Sequence, residues 1–153
     1  MAKKLNEQTK EKEMLSMAGE YGVCSELYKR GIQASITYGN AKAVDIVIIK
    51  GNKAWKVQVK TSKEKTTPTG FFQKYYDEEK AHPDFWVSVH FDPKTLQTDF
   101  YVLTHEEVKR EQMIVNKMDK CEEVKDGFDK IPYVQLEAYK DKWETIINVV
   151  SNF

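Results

Sequence analysis

The stretch that most constrains this chain runs from Ala43 to Ser62, AVDIVIIKGNKAWKVQVKTS. Val44, Ile46 and Ile48, then Val57 and Val59, are β-branched and alternate with polar residues, the period of a half-buried strand. Between the two runs stands Lys50-Gly51-Asn52-Lys53, whose Gly-Asn pair is a two-residue hairpin loop. Setting Lys50 opposite Lys53 fixes the register, and Asp45 then falls directly opposite Gln58. Side chains alternate across a strand, and opposed residues share a face. Asp45, Gln58 and Lys60 are therefore expected on one face, with Ile46, Ile48, Val57 and Val59 on the other. A hairpin with one wet face accounts for most of this pattern. The acid inside the apolar run VDIVII is less ordinary, because an unpaired carboxylate buried there costs several kcal/mol.

The remaining chain supplies what a hairpin needs to be buried. Its 153 residues are the size of one domain with its own core, and residues 1–153 are read as such. Hydrophobic residues make up 41% and charged ones 31%, with zero formal net charge. That balance excludes a polycation, so any nucleic-acid surface has to be local. Six lysines against the single acid Glu64 between Lys50 and Lys65 form such a patch. Two cysteines without a CxxC give neither a zinc site nor a disulfide framework. No run approaches a membrane span and no apolar leader is visible, so a cytoplasmic location is the default expectation.

Residues 1–10 are polar and expected to fray. A helix is expected from about Glu11 to Arg30, ended by Gly31. Its helical period gathers Met17, Tyr21, Cys24, Leu27 and Tyr28 into one stripe, with Glu20 inside it and Glu26 outside. Glu20 is thus a carboxylate aimed at the core side, either a metal or catalytic acid or an acid satisfied by a lysine or tyrosine. A strand over Ile32–Thr37 and a turn at Tyr38-Gly39-Asn40 lead into the hairpin. After Ser62 comes a long aperiodic segment with Phe71, Phe72, Tyr75 and Tyr76. Basic residues interleaved with aromatics suit a nucleic-acid backbone and stacked bases, and equally suit a loop capping the core. Phe85–Phe91 and Asp99–Leu103 read as strands joined at Asp92-Pro93. Thr104 with Glu107 is a capping box for a helix to about Asn116. A polar connection over residues 117–130, a short strand at Tyr133–Leu136 and a last helix from about Glu137 to Asn148 complete the chain, residues 131–153 forming a C-terminal helical extension. The order implies an α/β sandwich around a mixed sheet.

Asp45, the Gln58 oxygen and Glu20 are hard oxygen donors of the kind Mg²⁺ takes. Beside a phosphodiester such a cation polarises the phosphoryl oxygen, and an adjacent lysine orients water or offsets developing charge. Asp45, twelve residues, then Gln58-Val59-Lys60 resembles the PD-(D/E)XK nuclease superfamily, in the D…QxK variant found among restriction and homing endonucleases. Gly19-Glu20 in the first helix, a Leu…Arg-Gly helix end at Leu27 to Gly31, a short strand and then Asp45 are similar to those families too. The resemblance spans about residues 16–103. It implies a restriction-endonuclease-like α/β fold, with a mixed sheet of αβββαβ type flanked by helices. It also implies a Mg²⁺-dependent (or Mn²⁺-dependent) endodeoxyribonuclease. Asp45 becomes the central metal ligand, Gln58 a second through its oxygen, Glu20 the helix-borne acid and Lys60 the catalytic lysine. Two departures stand out: Val44 occupies the proline position, and Gln58 replaces an acid, removing one negative charge. Lys42, Lys56, Lys63, Lys65 and Lys74 are the expected DNA contacts. Cutting both strands would favour a homodimer or larger homo-oligomer, since one site cuts one strand. Open beside the nuclease are a catalytically inactive DNA-binding module on the same fold and a protein-interaction domain using its aromatics.

Overall fold

A computed structural model describes residues 2–37, 44–124 and 129–153. The elements are α1 (Ala2–Lys29), β1 (Ala34–Ile36), β2 (Ile46–Lys50), β3 (Lys53–Ser62), β4 (Thr66–Pro68), α2 (Phe71–Lys74), β5 (Phe85–Phe91), β6 (Thr98–Thr104), α3 (His105–Asn116), β7 (Lys130–Pro132), a 3-10 helix (Tyr133–Tyr139) and α4 (Glu144–Ser151). Five strands form one mixed sheet in the order β1-β2-β3-β5-β6. Only the β3–β5 pairing is parallel. The expected α/β fold with a helix-flanked mixed sheet is what the chain adopts.

The hairpin has the register that its turn chemistry dictates. Lys50 pairs with Lys53 and Ile46 with Val57. Gly51 takes φ 63° while Asn52 stays at negative φ. A positive φ at the first central residue alone is the requirement of a type II′ turn, which glycine meets without strain.

One apolar layer lies between the sheet and helices α1 and α4. It joins Val23 and Leu27 to Ile46, Ile48, Trp55, Val57, Val59, Phe85, Val87, Val102, Trp143 and Ile146. The opposite face is covered most fully over β5 and β6, where Trp86, Tyr101 and Leu103 pack against Phe71, Phe72, Val108, Ile131, Tyr133 and Leu136. This asymmetry explains two sequence patterns. β5 is buried on both faces from Phe85 to Val89, so it reads as a continuous apolar run. β2 and β3 are buried on one face only, so they alternate, and the wet face of β3 is left open for chemistry.

Several expectations are corrected. The helix begins at Ala2, ahead of Glu11. Its buried side is Gly19, Val23, Cys24 and Leu27, while Tyr21 and Tyr28 are more than half exposed. The shift follows from Gly19: a β-carbon there would lie 1.8 Å from Thr61 Oγ1, so a hydrogen lets the helix axis approach β3 on that side. The segment after Ser62 is not one loop; it holds β4 and α2, and β4 pairs with β7, register Thr67 opposite Ile131. The expected strand at Tyr133–Leu136 is a 3-10 helix, and the strand lies just before it. The last helix starts at Glu144, because Asp141 turns to φ 53° and donates its N–H to Phe100 O at 2.7 Å. Tyr38-Gly39-Asn40 and Lys42 fall outside the described residues.

Candidate nuclease-like site

Asp45 stands immediately before β2, and both acceptor bonds of its Oδ2 come from β3. Gln58 Nε2 donates to it at 3.0 Å and Val59 N–H donates at 3.0 Å. The side chain thus extends the hairpin ladder by one rung beyond Ile46–Val57. Thr37 ties the same backbone from the other edge: its N–H donates to Asp45 O at 3.0 Å, and its hydroxyl donates to Val44 O. An acid in a strand-like run is therefore accommodated by hydrogen bonds, which removes the cost expected of an unpaired buried carboxylate.

Glu20 reaches this acid from α1. The Glu20 carboxyl lies close enough to that of Asp45 for the two to interact, and Glu20 is half-buried. Burial first, then that contact and the charge of Asp45, push the Glu20 carboxyl up to about 7. Neighbouring carboxyls in a partly dry setting resist carrying two charges at once, so Glu20 keeps its proton to near neutral pH. Gly19 makes this meeting feasible, because it seats α1 against Thr61 of β3, one residue from Glu20 and one from Lys60.

Lys60 projects on the Gln58 face of β3. Burial is the main force lowering its ammonium below the usual lysine range; Lys74 lowers it further, and Asp45 opposes the shift. Lys60 thus lies within electrostatic reach of Asp45 and Lys74. The four candidate residues Glu20, Asp45, Gln58 and Lys60 come from α1, the start of β2 and β3, and share one locality.

The donor set suits a hard divalent cation: two carboxyls, one proton short of full charge, and an amide whose oxygen is not spent on Asp45. Among the described residues no three His, Cys, Asp or Glu side chains gather as a metal-binding group. The third protein ligand would have to be the Gln58 oxygen.

The expected DNA-contact lysines divide. Lys56, Lys63, Lys65 and Lys74 are exposed. Lys56 lies on the wet face of β3 two residues before Gln58; its N–H donates to the Asp84 carboxylate Oδ2 at 2.8 Å, and its carbonyl accepts the Asp84 N–H at 2.9 Å. Lys63 lines a cleft of about 470 Å³ between the N-terminal half of α1 and the end of β3, with Lys12, Ser16 and Thr61. Lys50, part of the same lysine-rich stretch, plays a structural part instead, since its ammonium donates to Val150 O at 3.0 Å at the C-terminal end of α4.

The aromatics and the lysine that follow β4 part ways. Phe71 and Phe72, candidates for base stacking, are fully buried and cap the core. Tyr75, by contrast, feels the charge of Asp45, and Lys60 feels that of Lys74. Only the parallel pairing of β3 with β5 brings them there, and no local pattern reports it.

No family model and no curated protein matches the chain. Among solved structures it is similar to the bacterial homing endonuclease I-Ssp6803I, with 15% sequence identity and a TM-score of 0.54, over 92% of this chain and 94% of that one. At that identity the likeness establishes a shared nuclease-like fold. No helix among the described residues is long and apolar enough to cross a membrane.

Proposed function

We propose that this protein is a Mg²⁺-dependent endodeoxyribonuclease, with Asp45, Glu20 and Gln58 as metal ligands and Lys60 as the catalytic lysine. The observation that carries the reading is the carboxyl pair of Glu20 and Asp45, bonded to Gln58 and set beside Lys60 on the open face of β3. The fold of a homing endonuclease supports it, and so does the D…QxK resemblance. When bound, the cation supplies Lewis acidity toward a phosphoryl oxygen. Asp45 is held by Gln58 and the Val59 N–H, so its free oxygen has a fixed aim. Glu20, whose carboxyl is pushed up to about 7, would hold the cation in its ionised form. Lys60 orients the attacking water and faces the charge that grows on the phosphate. The water oxygen bonds to phosphorus and loses a proton to solvent, the phosphorus–oxygen bond to one sugar breaks, and the departing oxygen takes a proton from solvent. DNA is held by Lys56, Lys63, Lys65 and Lys74, with Lys42 as a further contact, and a double-strand cut requires a second copy.

A duplex incubated with Mg²⁺ or Mn²⁺ tests this. Cleavage is expected in wild type, and loss with Asp45→Ala, with Lys60→Ala and with chelator. A well-folded wild type that cuts no duplex, junction or single strand refutes it. One observation favours a second reading, a catalytically silent DNA-binding module on the same fold: Gln58 already satisfies Asp45 without any metal. That reading requires salt-sensitive DNA binding with no heat of Mn²⁺ binding.

A further inference from the structure

We propose that the Tyr75 hydroxyl is a fifth functional group of this site, donating a hydrogen bond to a non-bridging oxygen of the phosphate being cut. The inference rests on the nuclease reading above and deepens it.

β3 and β5 run parallel with Gln58 beside Trp86 and Lys60 beside Ser88. Adjacent strands lie about 4.8 Å apart, so Trp86 is the immediate lateral neighbour of the candidate ligand Gln58 on the same face. Trp86 spends its indole N–H on His105 Nδ1 at 3.1 Å and offers only its ring to what lies above. What lies above is Tyr75, edge-on to Trp86 at 5.6 Å between centroids and to His105 at 5.4 Å, with Phe71 at 5.8 Å. Three aromatic neighbours therefore fix the ring.

The backbone is fixed as well. Tyr75 follows α2, whose first N–H groups are bound by side chains: Phe71 N–H by Thr69 Oγ1 at 3.2 Å and Phe72 N–H by Asp129 Oδ1 at 3.4 Å. Thr69 is in turn held by Gln112 Oε1 at 2.8 Å. The residue is pre-positioned by buried contacts from β5, α3 and the Asp129 segment.

Packing alone does not ask for a tyrosine here. A phenylalanine ring would satisfy Phe71, Trp86 and His105 equally, and the hydroxyl bonds to no described residue. That hydroxyl lies within reach of the Asp45 charge. Burial, then Asp45, holds its pKa above the usual phenol value, so it keeps its proton and remains a donor. A protonated donor on a ring held by three aromatic neighbours, within reach of the Asp45 charge, complements an anion bound at the site.

Tyr75→Phe tests the role, because it keeps the ring and removes only the donor. Single-turnover cleavage of a DNA duplex with Mg²⁺ is measured beside duplex affinity with Ca²⁺ in place of Mg²⁺, and beside Tm. The expected result is a rate lower on the order of 10- to 100-fold, with affinity within about twofold and Tm unchanged. If wild type cuts and Tyr75→Phe cuts equally fast, the role of Tyr75 is overturned while the nuclease reading stands. A fall in Tm with rate and affinity lost together also overturns it, in favour of packing. If neither protein cuts DNA, the nuclease reading falls and takes this role with it.

Discussion

Gln58 donates its side-chain amide to Asp45 Oδ2 at 3.0 Å, across the open end of a hairpin whose register is set by Gly51. The same carboxylate oxygen accepts the Val59 N–H, so the acid is locked to β3 by two bonds. A glutamine at this place does what an ionised acid cannot: it donates a hydrogen bond to its neighbour. It also leaves its oxygen as the third donor of the cluster. Whether the site binds a cation therefore turns on one amide.

Gln58→Glu is the direct probe of that amide. A third carboxylate replaces a hydrogen-bond donor with a like charge against Asp45 and Glu20. Without metal the variant is expected to lose on the order of 1–3 kcal/mol of stability, the cost of an unsatisfied buried group. With Mn²⁺ it is expected to bind at least about tenfold more tightly than wild type, the effect of one added anionic oxygen ligand. Thermal unfolding and calorimetry across a Mn²⁺ titration check both signs.

Gly19→Ala is expected to damage the site from a distance. The new β-carbon would meet Thr61 Oγ1 at 1.8 Å, so α1 has to move off β3 and carry Glu20 away from Asp45. Overpacking of this kind costs roughly 1–3 kcal/mol. Tm should drop and metal-dependent cleavage should weaken, and Thr61→Ala in the same chain should restore part of both.

His105 makes stability depend on pH. It accepts the Trp86 N–H through Nδ1 and stacks on His82 at 4.0 Å. Burial, followed by the charges of His82 and Lys109, lowers it from 6.5 to about 4. The unfolded chain thus binds a proton below 6.5 that the folded chain refuses until about 4. The stabilisation is complete above that window and is lost as pH falls through it, at most about 3 kcal/mol. Denaturant titrations between those pH limits should show stability rising with pH. His105→Gln keeps an acceptor for Trp86 and should flatten the slope.

The lysines are expected to act on DNA affinity through salt. Removing Lys56, Lys63, Lys65 or Lys74 singly should weaken binding evenly across sequences. Each that touches a phosphate should lower the slope of log K against log salt by about 1. A variant with an unchanged slope places that lysine off the DNA path.

The parts of this architecture legible in sequence were those fixed by neighbours in the chain. Gly51-Asn52 set the hairpin register, and with it Asp45 opposite Gln58. Thr104 and Glu107 exchange the reciprocal bonds of a capping box, at 3.1 and 2.9 Å. Gly31, at φ 79°, ends α1. What was not legible depends on partners far along the chain. β4 exists because β7 pairs with it, and the polar stretch between gives no sign of that. The helical stripe drawn through Tyr21 and Tyr28 misjudged the buried face, because Gly19 carries no hydropathy and yet seats α1 against Thr61. Tyr75 looked like one aromatic among four; the β3–β5 register separates it from Phe71 and Phe72.

The central claim is a cation held among Asp45, Glu20 and Gln58 beside Lys60. Anomalous diffraction from a crystal soaked in Mn²⁺ tests it most directly. The account predicts one strong peak within bonding distance of an Asp45 oxygen, a Glu20 oxygen and Gln58 Oε1, absent in Asp45→Ala. A fully soaked crystal with no peak there, and Gln58 Nε2 still on Asp45, would contradict it.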